Sequence, residues 1–299
     1  MSNTEPHPGA PACAPPDPEP RKPKFEFPRH ACDCHAHVLG PAQRYPYSAA
    51  RIYTPPDCPP SAYRRMLNTL GIERAVLIQP SAYGTDNTAM LDAMKSDPAR
   101  LRGVAVVPEN IPDRELQRLN EAGVRGVRVN IVDVKDRKPG TLPLEMLTRL
   151  ARRIAPLGWH MEFLMHVDEF PDFDRQLGDF PVDVVLGHLG YMRTDKGLDA
   201  PGFQAMLRLM ARGRCWVKLS GPMRIATTAL PYADVTPFAQ ALTQANPDRV
   251  VWGTDWPHVI IKGAMPNDGD LADLLPAWIP DTALREKVLV RNPAQLYGF

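Results

Sequence analysis

The stretch Ala31-Cys32-Asp33-Cys34-His35-Ala36-His37-Val38 decides how this chain is read. Polar Asp33, His35 and His37 alternate with small or apolar neighbours, and alternation at period two marks a β-strand. Residues two apart on a strand share a face, so the two imidazoles point the same way. The same parity sets Asp33 one layer below them, placed to orient an imidazole, and turns Cys34 to the opposite side as core.

Working outward, seven more short runs follow: Arg74–Gln79, Gly103–Val107, Gly126–Asn130, His160–Met165, Val182–Gly187, Cys215–Ser220 and Arg249–Gly253. Amphipathic stretches lie between them, among them Asp113–Ala122, Leu144–Leu157, Pro201–Arg212 and Val235–Ala245. Strand–helix repeats with continuous apolar strands predict a parallel sheet. Eight of them predict a closed (β/α)8 TIM barrel of the α/β class rather than an open doubly wound sheet. No G-x-G-x-x-G follows the first run, so no dinucleotide site is signalled. The segment from Leu271 to Phe299 supplies the last helices.

Ahead of the first strand, nine of the 34 prolines fall within residues 1–28. That composition predicts a disordered proline-rich tail over 1–28 and a single catalytic domain over 29–299. Only Lys24-Phe25-Glu26-Phe27 alternates enough to suggest a short hairpin or an arm.

The 299 residues are 44% hydrophobic and 23% charged, which excludes disorder of the whole chain. Lys and Arg number 35 against 34 Asp and Glu, a net charge of +1, so no global field draws the protein to nucleic acid or an anionic membrane. No apolar run approaches the roughly 18 residues of a membrane helix. Five scattered cysteines without a C-x-x-C pair exclude a disulfide framework and a zinc knuckle. The first residues lack the pattern of a secretory signal, and a reducing cytoplasm is the expected setting, as a monomer or homo-oligomer.

The polar residues gather at one end of the expected strands. His35 and His37 end the first run, and Arg128 and Asn130 the fourth; His166 follows the fifth and His188 the sixth. Lys218 and Ser220 end the seventh, with Arg224 just beyond, and Asp255 and His258 follow the eighth. In a barrel these positions converge on the C-terminal rim, where barrel enzymes carry their sites. By residue type, His35, His37, His166, His188 and Asp255 form a nearly complete set of ligands for one divalent ion such as zinc or manganese. Asp255, between Trp252 and Trp256, is the candidate general base. Ser81 and Tyr83 follow the second run and are candidate substrate contacts.

Several segments carry a resemblance: Cys34 to Pro41, Tyr53-Thr54-Pro55, Gly126 to Asn130, Gly158-Trp159-His160, His188-Leu189-Gly190 and Trp252 to His258. Together they resemble the amidohydrolase superfamily, in its amidohydrolase 2 branch that includes pyrone-dicarboxylate lactonases. The resemblance runs from about residue 31 to residue 299. It implies a (β/α)8 barrel that opens a small carboxylated lactone without a required cofactor. On its pattern, Asp255 activates water and His35, His37 and His188 polarise the carbonyl. Arg128, Arg224 and Tyr53 hold a small anionic substrate, with Tyr191, Ser81 and His258 nearby. The pattern departs at Val134 and Tyr191, where the branch carries arginine, and at Leu164, where it carries tyrosine. Arg193 and Lys135 lie close by. A valine cannot replace a bidentate guanidinium, so the departures imply a related ring, a muconolactone-type or sugar-acid lactone. A metal-dependent amidohydrolase or a decarboxylase of a cyclic acid is the alternative on the same barrel.

Overall fold

A computed structural model describes residues 9–132 and 140–299. All eight expected runs are strands, their ends moved by at most two residues: β1 (Cys32–Ala36), β2 (Arg74–Ile78), β3 (Leu101–Ala105), β4 (Val124–Asn130), β5 (His160–Leu164), β6 (Val184–Leu186), β7 (Cys215–Leu219) and β8 (Val250–Trp252). They pair in parallel and in sequence order. One helix packs each crossover: α1 (Pro60–Leu70), α2 (Thr88–Lys95), α3 (Asp113–Glu121), α4 (Leu144–Ile154), α5 (Phe173–Gln176), α6 (Pro201–Ala211) and α7 (Thr236–Ala245). Each helix turns an apolar stripe to the sheet; on α4 it is Leu147, Leu150, Ala151 and Ile154.

The barrel closes just beyond β8. The Asp255 N–H donates to the His35 carbonyl at 2.8 Å, and the His37 N–H donates to the Trp256 carbonyl at 2.8 Å. Gly253 permits this approach, since a Cβ there would lie 2.6 Å from the His35 nitrogen. The seam that seals the cylinder therefore also sets Asp255 beside the histidine strand.

The parity expected for β1 is corrected by a bulge. Asp33 pairs with Ala75 and Ala36 with Leu77, three steps on β1 against two on β2. An extra residue exchanges the two faces of a strand from that point on. Below the bulge, Cys32 and Cys34 share a cluster with Val76, Ile78, Val104, Val185, Trp216, Val251 and Tyr297, residues that only the barrel interior brings together. Asp33 turns instead to Tyr63 of α1, whose hydroxyl donates to it at 2.8 Å, and to the Thr254 hydroxyl at 2.6 Å. It also accepts the His35 N–H at 3.0 Å, so it pins the His35 backbone rather than an imidazole.

The disordered tail expected over 1–28 is corrected for residues 9–28, which lie along the barrel. The Cys13 N–H donates to the Thr54 carbonyl at 2.9 Å and the Thr54 N–H to the Pro11 carbonyl at 2.8 Å, a short parallel pairing of Ala12 with Thr54. The Arg21 N–H donates to Asn267, just ahead of α8 (Asp268–Ala272), and the Lys24 N–H to Asp273. Phe27 packs on Trp252 at 5.4 Å between centroids and on Phe25 at 4.8 Å. A proline-rich segment needs no core of its own when the barrel wall supplies the apolar surface and the acceptors.

Candidate active site

Asp255 is fully buried and adopts a left-handed backbone, φ 68°. Its Oδ2 accepts from Arg224 Nε at 2.6 Å. Its Oδ1 has no hydrogen-bond partner and stands 3.9 Å from both His35 Nε2 and His188 Nε2. Burial alone would raise this carboxyl, but the Arg224 guanidinium, with His188 and His258 nearby, outweighs it and holds the pKa at about 2. The flanking tryptophans pack outward in the helix layer, Trp256 against Tyr63, so it is the barrel interior that shields Asp255 from bulk solvent.

The three histidines are held differently. His37 Nδ1 lies 2.7 Å from the Ile78 carbonyl. His188, φ 51° at the start of a tight turn, sets its Nδ1 3.1 Å from Ser220 Oγ. His35 packs its ring 4.7 Å from that of His188 and 5.2 Å, edge-on, from that of His37. Burial lowers His37 and His188 to about 3, and burial with the Lys218 ammonium lowers His35 well below the usual value. All three are neutral imidazoles near neutrality. Gly221, φ +59°, makes the cluster possible: a Cβ there would meet His188 Nδ1 at 2.8 Å and Asp255 Oδ2 at 3.1 Å.

Around this centre, Arg128 donates to the Gln79 carbonyl at 3.0 Å and leaves its buried Nε without a partner. Tyr53 is buried against Ser81 and within the field of Arg128. Arg224, besides Asp255, donates to the Val259 carbonyl at 3.0 Å and meets Tyr191, so the guanidinium expected to hold substrate is engaged chiefly with the base. Tyr191 sits edge-on to His188 at 5.5 Å and stacks on His166 at 4.5 Å. His258 is buried with Nε2 3.1 Å from Asp268 Oδ1, and its N–H donates to the Asp255 carbonyl at 2.9 Å. Arg193 is exposed and paired with Asp195 at 2.8 Å. Val134 and Lys135 lie outside the described residues.

Among the described residues, one metal-competent group forms: His35, His188 and Asp255, with donor atoms within 4.8 Å of one another. Two of its atoms, His35 Nε2 and Asp255 Oδ1, are buried and unpartnered, so the donors fit a single divalent ion by type and spacing. His37 and His166 stand outside that group; His166 Nδ1 is held by the Tyr191 carbonyl at 2.7 Å. Sequence reading did not single out Asp268, Gly221 or Thr254. Their functions depend on neighbours at least ten residues away, and no local pattern announces them.

Barrel, rim histidines and aspartate together define a hydrolase-type centre, and comparison with known proteins agrees. A profile of the amidohydrolase family matches residues 32–299. The chain is 40% identical over 287 residues to a 2-pyrone-4,6-dicarboxylate hydrolase of Comamonas testosteroni, covering 93% of each chain. It is 36% identical over 292 residues to a 4-sulfomuconolactone hydrolase of Rhizobium radiobacter, covering 97% of each. A crystal structure of a probable 2-pyrone-4,6-dicarboxylic acid hydrolase from Acinetobacter baumannii with citric acid bound superposes with a TM-score of 0.78 at 28% identity, covering 90% of this chain and 100% of that one. This chain belongs to the amidohydrolase family. Both of these curated relatives are named as lactone hydrolases.

Proposed function

We propose that this chain hydrolyses a small carboxylated lactone, with Asp255 as the base that activates water. The observation that carries the reading is the unpartnered Asp255 Oδ1, buried and equidistant from two imidazole nitrogens. A water on that oxygen gives up a proton and attacks the carbonyl carbon. The carbonyl oxygen becomes an oxyanion, which N–H donors stabilise best in a site without bulk water. The ring C–O bond then breaks, the ring oxygen takes up the proton, and the product is the ring-opened acid. Arg224 keeps Asp255 ionised and aimed. Among the described residues, Arg128, whose buried Nε has no partner, is a cation placed to meet a substrate carboxylate.

The substrate is a muconolactone-type or sugar-acid lactone with one or two anionic groups, in preference to the planar pyrone dicarboxylate. Tyr191 and Leu164 support this, since they stand where the resembling branch carries an arginine and a tyrosine. The sulfomuconolactone hydrolase at 36% identity and the neighbour that binds citrate, a tricarboxylate, support an anionic substrate.

A divalent ion on His35, His188 and Asp255 would act as a Lewis acid at the carbonyl. We propose that the reaction needs none, because Lys218, Arg128 and Arg224 already surround the neutral imidazoles with positive charge. Ring opening across a panel of carboxylated lactones, followed by pH change and ultraviolet absorbance, tests the substrate class. Turnover of amides or aromatic carboxylates alone would overturn it. A kcat/KM for the pyrone dicarboxylate tenfold above every other lactone would overturn the shifted specificity. Elemental analysis with chelator dialysis tests the metal-free route, and stoichiometric zinc or manganese whose removal abolishes turnover would end it.

A further inference from the structure

Beneath the site lies an ion pair to which the proposed reaction assigns only a general positive charge. Lys218 of β7 is fully buried, and its Nζ donates to Glu162 Oε2 of β5 at 2.6 Å. The same ammonium lies 3.4 Å from His35 Nδ1, with the Tyr297 ring 5.8 Å away on another side. A buried ion pair costs desolvation, and such pairs are weak evidence of stabilisation by themselves. What distinguishes this one is what it touches.

An ammonium has three protons and no lone pair, so it can only donate. A hydrogen bond from Lys218 Nζ to His35 Nδ1 therefore requires a lone pair on Nδ1. With that nitrogen accepting from an ammonium, the ring holds a single proton. Its single ring proton then sits on Nε2, the atom that faces Asp255 Oδ1. Glu162 Oε1 also approaches Nδ1, at 3.5 Å, but at an ion-pair distance only, whereas the Lys218 contact with Nδ1 has hydrogen-bond geometry. His37 is fixed the opposite way. A carbonyl can only accept, so the 2.7 Å contact with Ile78 puts the proton on Nδ1 and leaves the lone pair on Nε2.

We infer that the two histidines of His35-Ala36-His37 carry opposite tautomers, and that Lys218 is the positioning residue that makes His35 an N–H donor to the developing oxyanion. His37 Nε2 then accepts a hydrogen bond rather than polarising the carbonyl. This inference rests on the lactone-hydrolase reading and divides labour within it. The bulge in β1 supports it: it directs both rings into the barrel while leaving one above the ion pair and the other above the end of β2.

The test is long-range 15N–1H correlation on the full-length protein labelled with 15N-histidine, with His35→Gln and His37→Gln used to assign the two rings. The expected result is Nε2–H for His35 and Nδ1–H for His37. The same tautomer on both rings, or Nδ1–H on His35, overturns the inference without touching the lactonase reading, which the substrate panel tests. Lys218→Met supplies the causal arm. His35 should shift to Nδ1–H, facing Glu162, and kcat should fall about 10²–10³-fold, the size reported for loss of one oxyanion donor, with KM within about threefold. A Lys218→Met protein that lowers Tm but keeps Nε2–H on His35 shows a purely structural lysine and overturns the assignment. Should that variant not fold, the wild-type spectrum decides alone.

Discussion

The two ends of the barrel each bury histidine, and they treat it differently. At the floor, His160 lies over Gly126, where a Cβ would come within 2.5 Å of the ring, and edge-on to Tyr297 at 5.4 Å. Neither of its ring nitrogens has a partner, and burial with Lys218 lowers it to about 3. Cys32, Cys34, Val76, Val104, Trp216 and Val251 pack in the apolar cluster of this layer. At the mouth, His37 and His188 each have one nitrogen fixed by a partner. There the backbone is left-handed at His188, Leu189, Tyr191, Asp255, His258 and Ile260. The difference teaches that burial alone does not make a histidine chemical. A reactive ring needs one nitrogen anchored so that the other is presented, and the backbone strain that presentation demands gathers where the chemistry is.

Asp255→Asn should break the mouth and spare the floor. We expect kcat to fall about 10²–10⁴-fold, since an amide cannot take the proton, with Tm nearly unchanged. Activity within tenfold of wild type, a barrier change under about 1.4 kcal/mol, would move the base elsewhere.

Tyr297→Ala should do the reverse. Removing a fully buried ring from the floor is expected to cost about 3–5 kcal/mol, read as a drop of roughly 10 °C in Tm, while kcat stays within about tenfold. A variant as stable as wild type but inactive would erase the distinction between the two ends.

Deleting residues 1–28 connects the ends, because the leader runs from Thr54, beside Tyr53, to Asn267 and Asp273. Loss of the Phe27–Trp252 packing and these hydrogen bonds should lower stability by about 2 kcal/mol, roughly 5 °C in Tm, and raise KM. Unchanged Tm and KM would restore the picture of a loose tail.

The smallest effect is on pH dependence. With His37 and His188 at about 3 and Asp255 at about 2, kcat/KM in the free enzyme should be flat from about pH 5 to 8. A limb near pH 6.5 would mean that an imidazole titrates there, and one near pH 6 that Asp33, which burial raises to about 6, loosens the His35 backbone as it takes up a proton. Stability carries the sign. Unfolded histidine takes a proton below about 6.5, whereas the folded rings refuse it until about 3. Thermal melts should therefore show stability falling as pH drops from 6.5 towards 3.

The sequence by itself determined the architecture. Short continuous apolar runs separated by amphipathic helices mark eight strands, and eight parallel strands with right-handed crossovers put every strand end on one rim. That is why His35, His37, His188, Arg128 and Asp255 could be placed together before any coordinates. Local pattern carried that much because hydrophobic periodicity is set residue by residue. It could not carry the bulge, which depends on how β1 registers against β2 and which swapped the roles of Asp33 and Cys34. Nor could it carry the leader, whose burial comes from a wall more than two hundred residues away in sequence. Only the tertiary structure paired Arg224 with Asp255 and His258 with Asp268, because a charge or a tautomer is decided by whatever stands within about 4 Å of it, and sequence distance says nothing of that.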